Sequence, residues 1–114
     1  MNEEIEKICF EIITNVGIAK GYFISAIKTM KVENNLRKTL EFMKKGEESL
    51  VIGHKSHAEL LKLDSKGNIN SIPLLAMHAE DQLMSAETIK MFAEEIIDLY
   101  QCLEYKPTVA MERV

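Results

Sequence analysis

The first third of the chain carries one uninterrupted apolar pattern that steps by four and three residues. Side chains at these spacings share one face of an α-helix, so the pattern predicts a long helix that packs against a neighbour. Asn2 is a good N-cap for this helix. Gly17 and Gly21 each cost a helix about 1 kcal/mol relative to Ala, which predicts close approach of a neighbouring backbone. The predicted seam comprises Ile5, Cys9, Ile12, Val16, Ala19, Phe23, Ala26 and Met30.

Two further helical patterns follow, and no segment alternates as a β-strand would. Asn34 and Asn35 mark the first break. Turn-forming residues 64–71 mark the second, and Pro73 suits the start of a third helix. We therefore predict an all-α fold, an antiparallel three-helix bundle, with one domain over residues 1–106 and a flexible tail over 107–114. The second seam comprises Leu36, Leu40, Met43, Glu47, Leu50, His54, His57 and Leu61.

The third helix is apolar on more than one face, and a polar stripe runs through it. Two neighbouring helices cannot cover all of its apolar surface, which predicts self-association. His78 and Asp81 share a face, with Ser85 one turn further along. Polar groups in a packing seam cost free energy unless they find partners, so this stripe is either a buried polar network or a reactive site. The whole stripe comprises Leu74, His78, Asp81, Ser85, Thr88, Phe92, Glu95 and Leu99.

Composition narrows the classes of protein. The net charge of −4 and the pI near 5.4 argue against a nucleic-acid-binding surface. No stretch approaches the ~18 apolar residues of a transmembrane helix, and the N-terminus lacks the pattern of a signal peptide. Cys9 and Cys102 both fall in apolar helical registers, so we expect reduced core thiols. A cytoplasmic location is expected.

The other two histidines suggest a metal site less strongly. His54 and His57 lie three residues apart on the second helix. Two ligands are too few for a zinc site, and the Glu-x-x-His pattern of di-iron bundles is absent. A supporting role beside His78 suits this pair better. The methionines of the third helix are typical of core filling.

Four segments resemble the lactose/cellobiose-type enzyme IIA proteins of the sugar phosphotransferase system. Residues 74–85, LLAMHAEDQLMS, resemble the active-site segment of that family, which usually reads LLxVHAQDHLMT. GHKSHAELL at 53–61 is similar to its second-helix segment AHxxQTELI. VGIAK at 16–20 and FAEEIIDLY at 92–100 resemble its first and last helices. The resemblance covers nearly the whole chain.

The resemblance implies a phosphocarrier. In that family a histidine accepts a phosphoryl group from HPr and passes it to a cysteine of enzyme IIB, while membrane enzyme IIC translocates the sugar; the histidine maps onto His78. The resemblance also implies a homotrimer in which Asp81 meets its two symmetry mates around a divalent cation, usually taken as Mg²⁺. Three carboxylates would repel one another by about 4 kcal/mol per pair at ~4 Å and an effective dielectric of 20, and a hard cation removes that repulsion.

The chain departs from the family pattern at three positions. Glu80 replaces the usual Gln, Gln82 replaces a second His, and His57 replaces the Gln of the second helix. Glu80 adds negative charge beside His78. It keeps open an alternative of a different class, a non-catalytic trimeric helical adaptor that keeps the fold and has lost phosphoryl transfer.

Overall fold

The computed structural model describes residues 2–67, 69 and 71–105, and three long helices account for most of them. Helix α1 spans Glu3–Glu33, α2 spans Leu36–Ser65 and α3 spans Leu74–Tyr105. The described part of the chain contains no β-strand. The helix count and the two breaks therefore confirm the prediction of an all-α three-helix bundle, while the predicted tail at 107–114 lies outside the described residues.

The three asparagines at the ends of the first two helices act as predicted. The side chain of Asn2 accepts a hydrogen bond from the backbone N–H of Ile5 at 3.1 Å and caps α1. Asn34 ends α1 in the left-handed conformation, with φ of 52°. The side chain of Asn35 then accepts from the backbone N–H of Lys38 at 3.0 Å and caps α2. One residue thus stops the first helix and the next residue starts the second.

Helix α1 supplies the centre of the bundle. All eight residues of its predicted seam are buried. Phe23 packs over Gly46 of α2, and Val16 packs over Gly53. As residue numbers fall along α1 they rise along α2, so the two helices run antiparallel. Helix α3 also packs against α1. The burial of all eight residues confirms the predicted α1 seam.

The prediction for the two glycines of α1 is wrong. Gly17 and Gly21 are exposed, and a Cβ atom built on either would meet no atom within 4 Å. The close approach is made instead at α2, where a Cβ at Gly53 would lie 2.8 Å from Val16 Cγ1 and one at Gly46 would overlap the ring of Phe23. Helical spacing locates a glycine on a face without showing which face meets a neighbour.

The predicted seam of α2 is also displaced. Only Met43 and Leu50 of that seam are buried, whereas Leu40, Leu61 and His54 are exposed. Large side chains dominated the sequence pattern, but α2 approaches α1 mainly through small residues. The buried residues of α2 are Thr39, Met43, Gly46, Leu50, Gly53, Ser56 and Leu60.

Two expectations from composition need correction. Among the described residues, α1 alone is long and apolar enough to cross a membrane by length and composition, contrary to the expectation that no stretch comes near that limit. Its side chains Ile12 and Phe23 are fully buried in the bundle, and 28% of its apolar window is buried. Both cysteines are free thiols, but Cys9 is buried and Cys102 is exposed. Cys102 lies on the side of α3 that neither other helix covers.

Candidate functional site

Helix α3 turns His78 and Asp81 away from the bundle. Ala79, Leu83 and Ala86 form the side of α3 that is buried in the core. His78 and Asp81 are both exposed, and neither has a hydrogen-bond or ion-pair partner among the described residues. A buried polar network within the chain is therefore ruled out for this pair. What remains is a histidine ring that another molecule can reach.

Asp81 lies between two methionines of an exposed strip on α3. We call this strip the outer face of α3 and define it by Met77, Asp81, Met84, Thr88 and Met91, which follow one another at spacings of three and four. The methionines are 55, 59 and 67% exposed in chain order. Three exposed methionines in one row on the surface of a chain are typical of a protein–protein contact. The predicted excess of apolar surface on α3 is thus present.

Glu80 points to the opposite side of α3 from His78. Two residues along a helix turn the side chain by about 200°, and the Glu80 carboxylate meets the imidazole of His57 on α2. The next pairs along the same two helices are His54 with Glu87 at 2.7 Å and Lys90 with Glu47 at 3.8 Å. His57 therefore acts beside Glu80 and not beside His78. The negative charge that departs from the family pattern is held against α2.

The Glu80 carboxylate also acts on the buried thiol of Cys9. Burial raises the pKa of this thiol above its ordinary value, and the nearby Glu80 carboxylate raises it further. Both effects disfavour a thiolate. Cys9 is therefore a buried core thiol that stays protonated at neutral pH.

The sequence interpretation missed Lys20. This lysine of α1 donates a hydrogen bond from Nζ to Oε1 of Gln82 at 2.5 Å. Gln82 follows His78 by four residues, which places the two on one side of α3. Lys20 and Gln82 are 62 residues apart in sequence, so no local pattern joins them. The one signal in the sequence is that Lys20 falls within an otherwise apolar face of α1.

The described residues of one chain do not form a complete metal site. No three side chains among His, Cys, Asp and Glu lie together in the described part of the molecule. His54 and His57 are engaged by different carboxylates, and a metal site built on those two histidines has no support. Asp81 offers one exposed carboxylate, so a site there needs ligands from other copies of the chain.

Comparison with known proteins identifies the family. Residues 7–101 match the family described as the lactose/cellobiose-specific IIA subunit of the phosphotransferase system. The chain belongs to the lactose/cellobiose-type IIA family. Among its relatives, this IIA chain is 35% identical over 101 residues to the lichenan-specific phosphotransferase enzyme IIA component of Bacillus subtilis, covering 89% of this chain and 91% of the relative.

Two further comparisons extend the match. The oligo-beta-mannoside-specific EIIA component of Bacillus subtilis is 31% identical over 96 residues, covering 84% of this IIA chain and 86% of the relative. The crystal structure of the cellobiose-specific enzyme IIA of Bacillus anthracis superposes with a TM-score of 0.85 at 35% identity, covering 93% of this chain and 96% of that one. IIA components work with HPr and with the IIB of the same sugar system, which makes this chain a component of phosphotransferase-dependent sugar transport.

Proposed function

We propose that this IIA chain is a phosphocarrier that accepts a phosphoryl group from HPr on His78 and passes it to a cysteine of its cognate enzyme IIB. The exposure of His78 carries the proposal. Two different proteins must reach the same ring in turn, and the ring lies open on a rigid helix, free of partners among the described residues. Ala79 and Leu83 anchor that helix in the core, so packing sets the face of α3 from which the ring projects.

The chemistry requires little beyond a placed imidazole. A neutral ring nitrogen of His78 attacks the phosphorus on HPr; the new P–N bond forms as the bond between phosphorus and HPr breaks, and HPr keeps the electron pair of that bond. In the second transfer a thiolate of IIB attacks, an S–P bond forms and His78 recovers its lone pair. Positioning and charge stabilisation supply most of the catalysis in phosphoryl transfer. An exposed histidine on a packed helix supplies the positioning.

We further propose a homotrimer that meets along the outer face of α3. The methionines of this face are uncovered within one chain, and their burial between copies removes apolar surface from water. Asp81 lies among them, so the carboxylates of three copies would meet at the axis. An exposed carboxylate without an ion-pair partner in the described chain fits a hard divalent cation such as Mg²⁺. Asp81 would hold the ion, which would cancel the repulsion between the carboxylates.

The names of the relatives point to a class of sugar. They are specific for lichenan, oligo-beta-mannosides and lactose. We propose a sugar of the lactose/cellobiose type for this chain, translocated by a membrane enzyme IIC that this protein does not touch, and a cytoplasmic place of action.

Reconstitution tests the proposal. The chain is incubated with phosphoenolpyruvate, enzyme I and HPr, and its intact mass is measured before and after brief acid treatment. A phosphocarrier gains one acid-labile phosphate per chain and loses it when IIB is added. His78→Ala should gain none while its melting temperature stays within about 2 °C, since an exposed side chain contributes little to stability. A non-catalytic adaptor gains no phosphate in the wild-type form.

A further inference from the structure

We propose that Lys20 binds the phosphoryl group carried by His78. This inference rests on the proposed phosphocarrier function and adds a residue from a different helix to the site. The ammonium group would meet the phosphate oxygens by a charge-assisted hydrogen bond, which is stronger than one between neutral groups.

The first argument is position. Lys20 Nζ is hydrogen-bonded to Gln82 Oε1, and Gln82 lies one helical turn after His78 on the same side of α3. One turn of helix is about 5.4 Å, and the lysine side chain is a flexible stem of four carbons. Exchanging the Gln82 amide for a phosphate one turn away is a short movement of the ammonium group.

The second argument is charge. Three other lysines form ion pairs with carboxylates: Lys38 with Glu33 at 3.1 Å, Lys62 with Glu59 at 3.5 Å and Lys90 with Glu47 at 3.8 Å. The described partner of Lys20 is a neutral amide. A half-buried ammonium group beside a neutral amide keeps its charge available for an anion. Two acids lie close to His78 in sequence: Glu80 faces α2, and Asp81 forms no ion pair with Lys20 among the described residues.

The chemical role is electrostatic. Lys20 gives up no proton and forms no covalent bond; the P–N bond at His78 forms and breaks as described above. Phosphorylation places close to two negative charges on the imidazole. A cation that meets those charges stabilises the phosphorylated form relative to the free one, so it raises the equilibrium fraction of phosphohistidine.

The experiment compares wild type, Lys20→Met, Lys20→Arg and Lys90→Met. Lys90 is the matched control, because it lies on the helix of His78 itself and its ammonium group pairs with Glu47 on the side facing α2. Each protein is equilibrated with a fixed ratio of phosphorylated to free HPr, and the phosphorylated fraction is read by intact mass. Lys20→Met should lower the equilibrium constant by about tenfold, the loss of one charge-assisted hydrogen bond. Lys20→Arg should recover most of it, and Lys90→Met should equal wild type.

Thermal unfolding of the same four proteins separates a structural role. If Lys20→Met melts lower but keeps the equilibrium constant of Lys90→Met, Lys20 only braces α3 and the inference is wrong. A Lys20→Arg protein as impaired as Lys20→Met would also overturn it, because the charge is then not what matters. If wild type takes no phosphate at all, the phosphocarrier function itself fails and this inference fails with it.

Discussion

Helices α1 and α3 are both more apolar than a surface helix needs to be, yet they use that surface differently. In α1 the eight residues of the seam are buried between α2 and α3. In α3 the core side is made mainly of alanines such as Ala79, Ala86 and Ala93, while Met77 and Met84 remain exposed. The seam of α1 is covered within the chain, although other apolar side chains of that helix, such as Phe10, stay exposed. The methionines of the outer face of α3 are not covered within the chain. Hydrophobic periodicity reports that a face needs a partner, and it leaves open whether the partner is in the same chain.

The largest expected effect comes from emptying the α1 seam. Phe23 is fully buried, and Phe10 of the same helix is 51% exposed. Phe23→Ala should lower the free energy of unfolding by about 3–5 kcal/mol because it leaves a cavity. Phe10→Ala should cost under about 1 kcal/mol, since little apolar surface is uncovered. Urea denaturation followed by circular dichroism measures both; equal losses would mean that α1 does not separate an inner from an outer side.

Glycines on the two helices provide a second test with opposite signs. Gly46→Ala should destabilise by about 1–3 kcal/mol, because the new methyl group overlaps the buried ring of Phe23. Gly17→Ala should stabilise by about 0.5–1 kcal/mol, because Ala is the better helix former and the site is open. The two melting temperatures should move in opposite directions from wild type. A loss at Gly17 would show that its face is covered in solution.

The outer face of α3 is tested through Asp81. Light scattering should give a trimer for wild type, and EDTA should lower its melting temperature because the carboxylates then repel one another. Asp81→Asn removes the charges, so its trimer should melt at the same temperature with and without EDTA. Equal shifts in the two proteins would remove Asp81 from the metal site, and a wild-type monomer at micromolar concentration would remove the trimer.

The two thiols repeat the comparison on a smaller scale. Burial and the Glu80 carboxylate raise the pKa of Cys9, so the unfolded chain releases this proton at a lower pH than the folded one. Stability is then unaffected below the ordinary thiol pKa and falls as pH rises from there towards the raised value. Cys9→Ala should lack that alkaline loss. Iodoacetamide at neutral pH should modify the exposed Cys102 rapidly and Cys9 only on unfolding, which peptide mass mapping measures.

The sequence predicted the elements well where local rules apply. Asn2, Asn34 and Asn35 act through hydrogen bonds to residues within four positions, and the α1 seam follows from its own spacing. The predicted seam of α2 was wrong because this helix meets α1 through Gly46 and Gly53. Small residues such as glycine carry almost no hydrophobic signal in the sequence. The candidate site divides in the same way.

His78 and Asp81 were predicted from the segment around them, and the structure places both on the exposed side of α3. Whether the polar stripe was buried or open depended on the packing of α1, which local spacing does not contain. Lys20 reaches the site from 62 residues away, and the pairing of His57 with Glu80 also crosses two helices. Contacts of this kind arise from how the helices pack.

The central claim is that His78 carries the phosphate, and localising the modification tests it most directly. The chain is phosphorylated through enzyme I and HPr, digested at alkaline pH to preserve phosphohistidine, and sequenced by tandem mass spectrometry. The three histidines, at positions 54, 57 and 78, fall at distinguishable places in the fragment series. All phosphate on His78 is the predicted result. Phosphate on His54 or His57, or none on any histidine, would contradict it.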